Sequence, residues 1–174
     1  MIVDLCVYSR MFDQHRLGPF GDSLASLERW EIDPSLRKVS RTTIDERPQE
    51  FPRHNPKVGT ELHRFGYTAG VNPDYSQGPV YKLDLASGTA STHDFGPGRG
   101  SGEAVFVARE GATAEDDGWL MSLVYDRTSD ESELVILDAR DISAAPVARV
   151  HLPRRVPFGF HGNWVPDASV PAMA

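Results

Sequence analysis

Along the chain, apolar and polar positions alternate with a period of two in short runs closed by Gly, Pro, Asp or Ser, and no stretch keeps helical spacing beyond about two turns. The pattern predicts an all-β protein. Three runs share one plan: RWEIDPS at Arg29 to Ser35, VYKLDLASG at Val80 to Gly88 and LVILDARD at Leu134 to Asp141. Each is a strand that ends on aspartate, at Asp33, Asp84 and Asp138, intervals of 51 and 54 residues. An aspartate in that position opens a turn by accepting hydrogen bonds from the backbone just ahead of it, and a second strand follows each time: KVSRTTI, TASTHDF and PVARVHL. Before each hairpin runs an apolar strand with a tyrosine, Tyr8, Tyr67 or Tyr125. After each hairpin comes a further strand, opened by QEFPR at Glu50, GEAVFVAR at Glu103 and GFHGNWV at His161.

Four strands returning about every fifty residues is the spacing of β-propeller blades. A four-stranded twisted sheet cannot bury both faces alone, so blades stack face to face around an axis. The chain carries roughly three such units where closed propellers have about four to eight. It is therefore expected to form a partial propeller, an arc within one domain spanning residues 1-174, with open lateral faces that favour self-association.

The innermost strand of each blade lines the propeller channel. Glu50, Glu103 and His161 open that strand in successive units, following their aspartates by 17, 19 and 23 residues. Ionisable groups facing a narrow channel are costly unless paired or bound to a cation. Metal chemistry is the economical reading: a neutral imidazole supplies nitrogen, and a carboxylate behind it accepts the other ring N–H. Read from its flanks alone, His161 fits a metal ligand or a core side chain with one hydrogen bond satisfied.

The words RPQEFPRHN, HRFGYTAG, SGEAVFVAREGATAEDDGWLMSLVYDR, SELVILDARDI and ARVHLPRRVPFGFHGNW, in that order and over nearly the whole chain, resemble the carotenoid cleavage oxygenase family. The resemblance implies a seven-bladed propeller with ferrous iron, Fe(2+), on its axis, held by four histidines with glutamates behind three of them. His161 matches the last of those ligands, and Glu50 and Glu103 match two of the supporting glutamates. The implied reaction is oxidative cleavage of a carbon–carbon double bond in a conjugated apolar substrate, a carotenoid, apocarotenoid or stilbene, by O2. Family members are much longer, and the other three ligand histidines fall before Met1, so the chain is expected to be a C-terminal portion that is inactive alone. The rival readings are a metal-free propeller-arc binding module or nonfunctional remnant, and a propeller hydrolase with carboxylate-bound calcium, which the nitrogen of the FHG word disfavours.

Other features change the picture less. Net charge is -7 with no basic stripe, which argues against a nucleic-acid partner. The N-terminus lacks a basic region and a long apolar run, so a cytoplasmic setting is expected. The single cysteine, Cys6, lies in an apolar alternating run and reads as a buried thiol. FGPGRGSGEAV lacks the Lys-Ser/Thr ending of a phosphate loop, and its glycines suit a crossover between blades. REGATAEDDGW reads as a solvated hairpin loop. His54, among prolines, is expected at the solvent or in a turn, and His151 as structural; neither they nor His15, His63 and His93 stand in ligand words. The apolar segment RMFDQHRLGPFGDSL could pack over the propeller face, wall a substrate tunnel or make a peripheral membrane contact. The tail after Trp164 is expected to fray.

Overall fold

The computed structural model describes residues 1–13, 23–72 and 76–167. It is all-β among those residues, with a single 3-10 turn at Pro56–Val58. The first sheet contains β1 (Ile2–Val7), β2 (Ser26–Asp33) and β3 (Lys38–Asp45) in that order. The second contains β4 (Gln49–Arg53), β5 (Phe65–Val71), β6 (Gln77–Asp84) and β7 (Thr89–His93), again in chain order. In the third, β8 (Arg99–Ser101) and β9 (Val105–Ala108) lie end to end along β10 (Gly118–Asp126), followed by β11 (Glu131–Asp138) and β12 (Ala148–His151). All pairings are antiparallel. The sheets follow one another without closing, as expected of a partial propeller.

The repeat predicted from the aspartates is present. Asp33, Asp84 and Asp138 end β2, β6 and β11. The Asp33 carboxylate accepts from the Ser35 and Leu36 amides at 2.9 and 3.0 Å, and that of Asp84 from Ala86 and Ser87 at 3.1 and 3.4 Å. Asp138 accepts from the Arg140 amide at 3.0 Å. Each side chain replaces the strand bonds that the backbone loses on turning.

Two expected inner strands differ from the prediction. The one opened at Glu103 is broken: residues 102–104 lie between β8 and β9, opposite only Ser122 and Leu123 of β10, so the ladder bulges and Glu103 sits in the break. The segment around His161 is not a strand, because no sheet edge pairs with it. The Val156 amide instead donates to Ser132 Oγ at 3.0 Å, and the Gly162 amide donates to Glu103.

The core lies between the second and third sheets. Tyr67, Val80, Phe106, Leu120, Val124, Val135, Leu137 and Ile142 are buried there, with Tyr67 stacked on Phe106 at 5.7 Å. Where these sheets meet, a Cβ on Gly100 would run into the Gln77 backbone, so only glycine permits the approach. Gly96 and Gly98, in the same crossover, adopt left-handed φ of 96° and 74°. β3 is exposed over most of its length, so the first sheet adds little to this core.

Polar staples join the sheets, and one corrects the sequence reading. The acidic 109–117 loop is not simply solvated. The Glu115 carboxylate accepts from the Arg64 and Phe65 amides at 2.7–2.9 Å and thereby caps the start of β5. Asp116 pairs at 2.7 Å with the Lys82 ammonium, which is buried over Phe65. His54 also departs from expectation: it is half-buried and stacked on His63 at 4.9 Å, and burial, then His63, lowers its pKa. His151 lies on β12 with its side chain in solvent. His15 and most of the segment from Arg10 to Leu24 lie outside the described residues, although Met11 and Phe12 are exposed.

Asp4 and Arg29 face each other across β1 and β2, with two hydrogen bonds of 2.8 Å between them. His63 Nε2 lies 3.3 Å from the same carboxylate, so this pair ties the first sheet to the loop before β5. Burial pushes the Asp4 carboxyl up, but Arg29 and His63 outweigh it and hold it at about 2, against an ordinary 3.8. A carboxyl whose pKa is lowered by folding stabilises the fold above its unfolded value, and that contribution is lost as pH falls through the folded one. We expect about 2 kcal/mol of unfolding free energy to disappear between about pH 4 and pH 2. In denaturant titrations across that range, Asp4→Asn should be less stable at neutral pH and show a correspondingly flatter acid slope.

Candidate metal centre

The site forms where β4, the break between β8 and β9, and the segment after β12 meet. Its centre is the Glu103 carboxylate, whose side chain is only 5% exposed. Arg53 of β4 reaches it with Nε 2.7 Å from Oε1 and Nη2 donating to Oε2 at 2.9 Å. The Gly162 amide donates to Oε2 at 2.8 Å, and His161 Nδ1 lies 3.2 Å from Oε1. Arg53 Nη2 also donates to the Gly162 carbonyl at 2.6 Å. Burial alone would raise the Glu103 pKa, but Arg53, the Gly162 amide and His161 together bring it below the ordinary glutamate value.

Local backbone geometry aims these groups. β4 bulges between Glu50 and Arg53, with Phe51 at a φ of 54°. That conformation costs a non-glycine residue about 1–2 kcal/mol and re-aims the residues on either side. The Phe51 ring meets the His161 ring edge-on at 5.7 Å, and Arg53 points at Glu103.

An ionised carboxylate only accepts hydrogen bonds, so in the neutral His161 ring its contact assigns the hydrogen to Nδ1 and leaves the Nε2 lone pair free. The His161 side chain is 73% exposed. One oriented nitrogen donor backed by a carboxylate fits a single ligand position of a nitrogen-loving metal. It does not make a complete set: among the described residues no group of three or more His, Cys, Asp or Glu is placed to hold an ion.

Glu103 and His161 come together; Glu50 stands apart from them. Its carboxylate accepts from the adjacent Phe51 amide at 3.2 Å. Its charge adds to burial in pushing the half-buried Cys6 thiol up to about 12. Sequence reasoning missed Arg53 and Phe51, although a proline inside a strand, Pro52, signals a bulge. Beside the pair opens an apolar cavity of about 410 Å³, lined by Met121, Leu123, Leu134, Phe158, Phe160 and Trp164, with Glu103 and His161 also in its wall.

The family model for RPE65, retinal pigment epithelial membrane protein, matches residues 1–166. The chain belongs to this family, that of the carotenoid cleavage oxygenases. It is 43% identical to a carotenoid cleavage oxygenase of Mycobacterium tuberculosis over 173 residues, 95% of this chain and 34% of that one. It is 38% identical to the apocarotenoid-15,15'-oxygenase of Synechocystis over 141 residues, 79% of this chain and 29% of that one. The chain thus spans about a third of the length of these curated relatives. The solved structure of cobalt-substituted Synechocystis ACO superposes with a TM-score of 0.85 at 34% identity, covering 94% of this chain and 36% of that one.

In this chain, Glu103 is one of the ties that fasten the segment carrying His161, through the Gly162 amide and the His161 ring. Glu103→Ala should release it and speed tryptic cleavage after Arg154 or Arg155 by about tenfold or more, the rate ratio of a local opening made easier by about 1.4 kcal/mol. Timed digestion followed by mass spectrometry measures this, and the rate of cleavage within the core strands should stay unchanged.

Proposed function

We propose that this chain forms the part of an iron-dependent dioxygenase that supplies His161 as one metal ligand and Glu103 as the carboxylate that orients it. The substrate is a conjugated apolar molecule, of the carotenoid, apocarotenoid or stilbene class. O2 splits one of its double bonds, and the two oxygen atoms end in two carbonyl products. The observation that carries this reading is the Glu103 carboxylate on His161 Nδ1, at the wall of an apolar cavity. The likeness to a relative whose solved structure is cobalt-substituted supports dependence on a transition metal. Iron, when bound, supplies the activation of O2.

The chain's own residues hold and shelter. Glu103 keeps the ring hydrogen on Nδ1, Arg53 balances the carboxylate charge, and Phe51 packs edge-on against the ring. Glu50 is suited to support an imidazole brought in from outside residues 1–174, since its carboxylate does not engage His161. The remaining ligands would come from the same source. A second reading, a metal-free binding module, is favoured by the lack of a multidentate cluster among the described residues.

A chimera separates the two readings. Residues 1–174 are joined to the preceding two-thirds of the Mycobacterium tuberculosis relative and compared with the chain alone. We expect the chimera to carry about one iron per molecule and to convert a carotenoid to aldehydes, with His161→Ala losing both properties. The 174-residue chain alone should release iron to a chelator and show no turnover. A folded chimera whose His161→Ala variant keeps its iron and activity would overturn the assignment, as would tight iron and turnover in the chain alone.

A further inference from the structure

We propose that Arg53 is a positioning residue for His161, acting through Glu103 and through the Gly162 carbonyl to fix the ring's orientation and tautomer. The proposal rests on the reading of His161 as an iron ligand, but its geometry does not depend on metal. Two segments far apart in sequence converge on this one guanidinium. Arg53 is 50 residues from Glu103 and 109 residues from Gly162, and it binds both.

The need for such a residue follows from how loosely His161 is otherwise held. Its ring is mostly in solvent, its segment belongs to no strand, and its link to Glu103 is the longest of that carboxylate's hydrogen bonds, at 3.2 Å. An exposed imidazole on irregular backbone keeps a fixed tautomer only if its acceptor is held still. Arg53 does this in two ways. Its Nη2 donates to Glu103 Oε2 while Nε lies 2.7 Å from Oε1 as an ion-pair contact without a hydrogen bond, so the guanidinium holds one carboxylate oxygen and sets its charge beside the other. The same Nη2 donates to the carbonyl of Gly162, so the residue beside His161 is held by Arg53 at its oxygen and by Glu103 at its nitrogen. Lysine carries the charge but not the planar fork, so it can replace only part of this. The strained φ at Phe51 has a local explanation on this view: the bulge turns Arg53 toward Glu103.

The decisive measurement is the His161 tautomer in the purified chain without metal, read from long-range proton–nitrogen-15 correlations near about pH 8.5, where imidazole is neutral. In the wild-type chain the hydrogen should reside on Nδ1. In Arg53→Met the ring should revert toward the Nε2–H form of a free imidazole, with the Nδ1–H population falling several-fold, and Arg53→Lys should lie between. In the chimera described above, iron affinity should fall by about 10–100-fold in Arg53→Met, the range for residues that orient a ligand. An Arg53→Met chain that keeps its strand resonances and an unchanged or stronger Nδ1–H preference overturns the proposal. Should Arg53→Met not fold, Arg53→Lys decides: a wild-type tautomer there overturns it equally. Failure of this test leaves the iron reading intact, whereas iron retained by His161→Ala would remove the iron reading and leave the Arg53 geometry standing.

Discussion

Four contacts made to one nearly buried carboxylate hold the functional end of this chain together. Glu103 receives two from Arg53, one from the Gly162 amide and one from the His161 ring, and these come from β4 and from the segment after β12. A buried carboxylate without partners loses several kcal/mol of hydration, so the donors are obligatory wherever Glu103 is folded inward. Every property assigned to His161 follows from this arrangement: its place in space, the nitrogen that bears hydrogen and the nitrogen left free.

That constraint works only on a rigid frame. The second and third sheets share the core, approach closely at Gly100, and are stapled by Lys82 with Asp116 and by Glu115 on the β5 amides. Arg53 stands on one of these sheets and Glu103 on the other, so their ion pair is as well placed as the sheets are relative to each other. The first sheet is attached differently, through Asp4, Arg29 and His63, and its outer strand is largely exposed. The two packed sheets carry the site, and the first sheet joins them at its inner side, where Ala25 and Leu27 are buried and the Gln49 amide donates to the Ala25 carbonyl at 3.3 Å.

The hairpin frame was legible in the sequence because its causes are local. Alternation marks strands, and an aspartate at a strand end turns the chain through amides two and three residues ahead, as at Asp33 and Asp84. What sequence reasoning could not place depends on partners far along the chain. The acidic loop looked solvated because the amides and the ammonium that satisfy it lie 34 to 51 residues away. The His161 segment has strand-like composition, but a strand needs a free edge, and none pairs with it here. The periodicity points to Glu103 and His161, which meet, and to Glu50, whose carboxylate accepts from the Phe51 amide at the bulge of β4. Arg53 escaped notice because an arginine next to a proline has no local signature of the carboxylate it will bind.

The hydrogen bond from the Gly162 amide to Glu103 is the link nearest His161 that can be followed one atom at a time. Amide hydrogen exchange of Gly162 in the purified chain, compared with the nearby Gly159 amide, measures it. Gly162 should exchange more slowly than Gly159, relative to their intrinsic rates, by about tenfold or more, and Glu103→Ala should abolish that protection. Equal, unprotected exchange at the two glycines would contradict it.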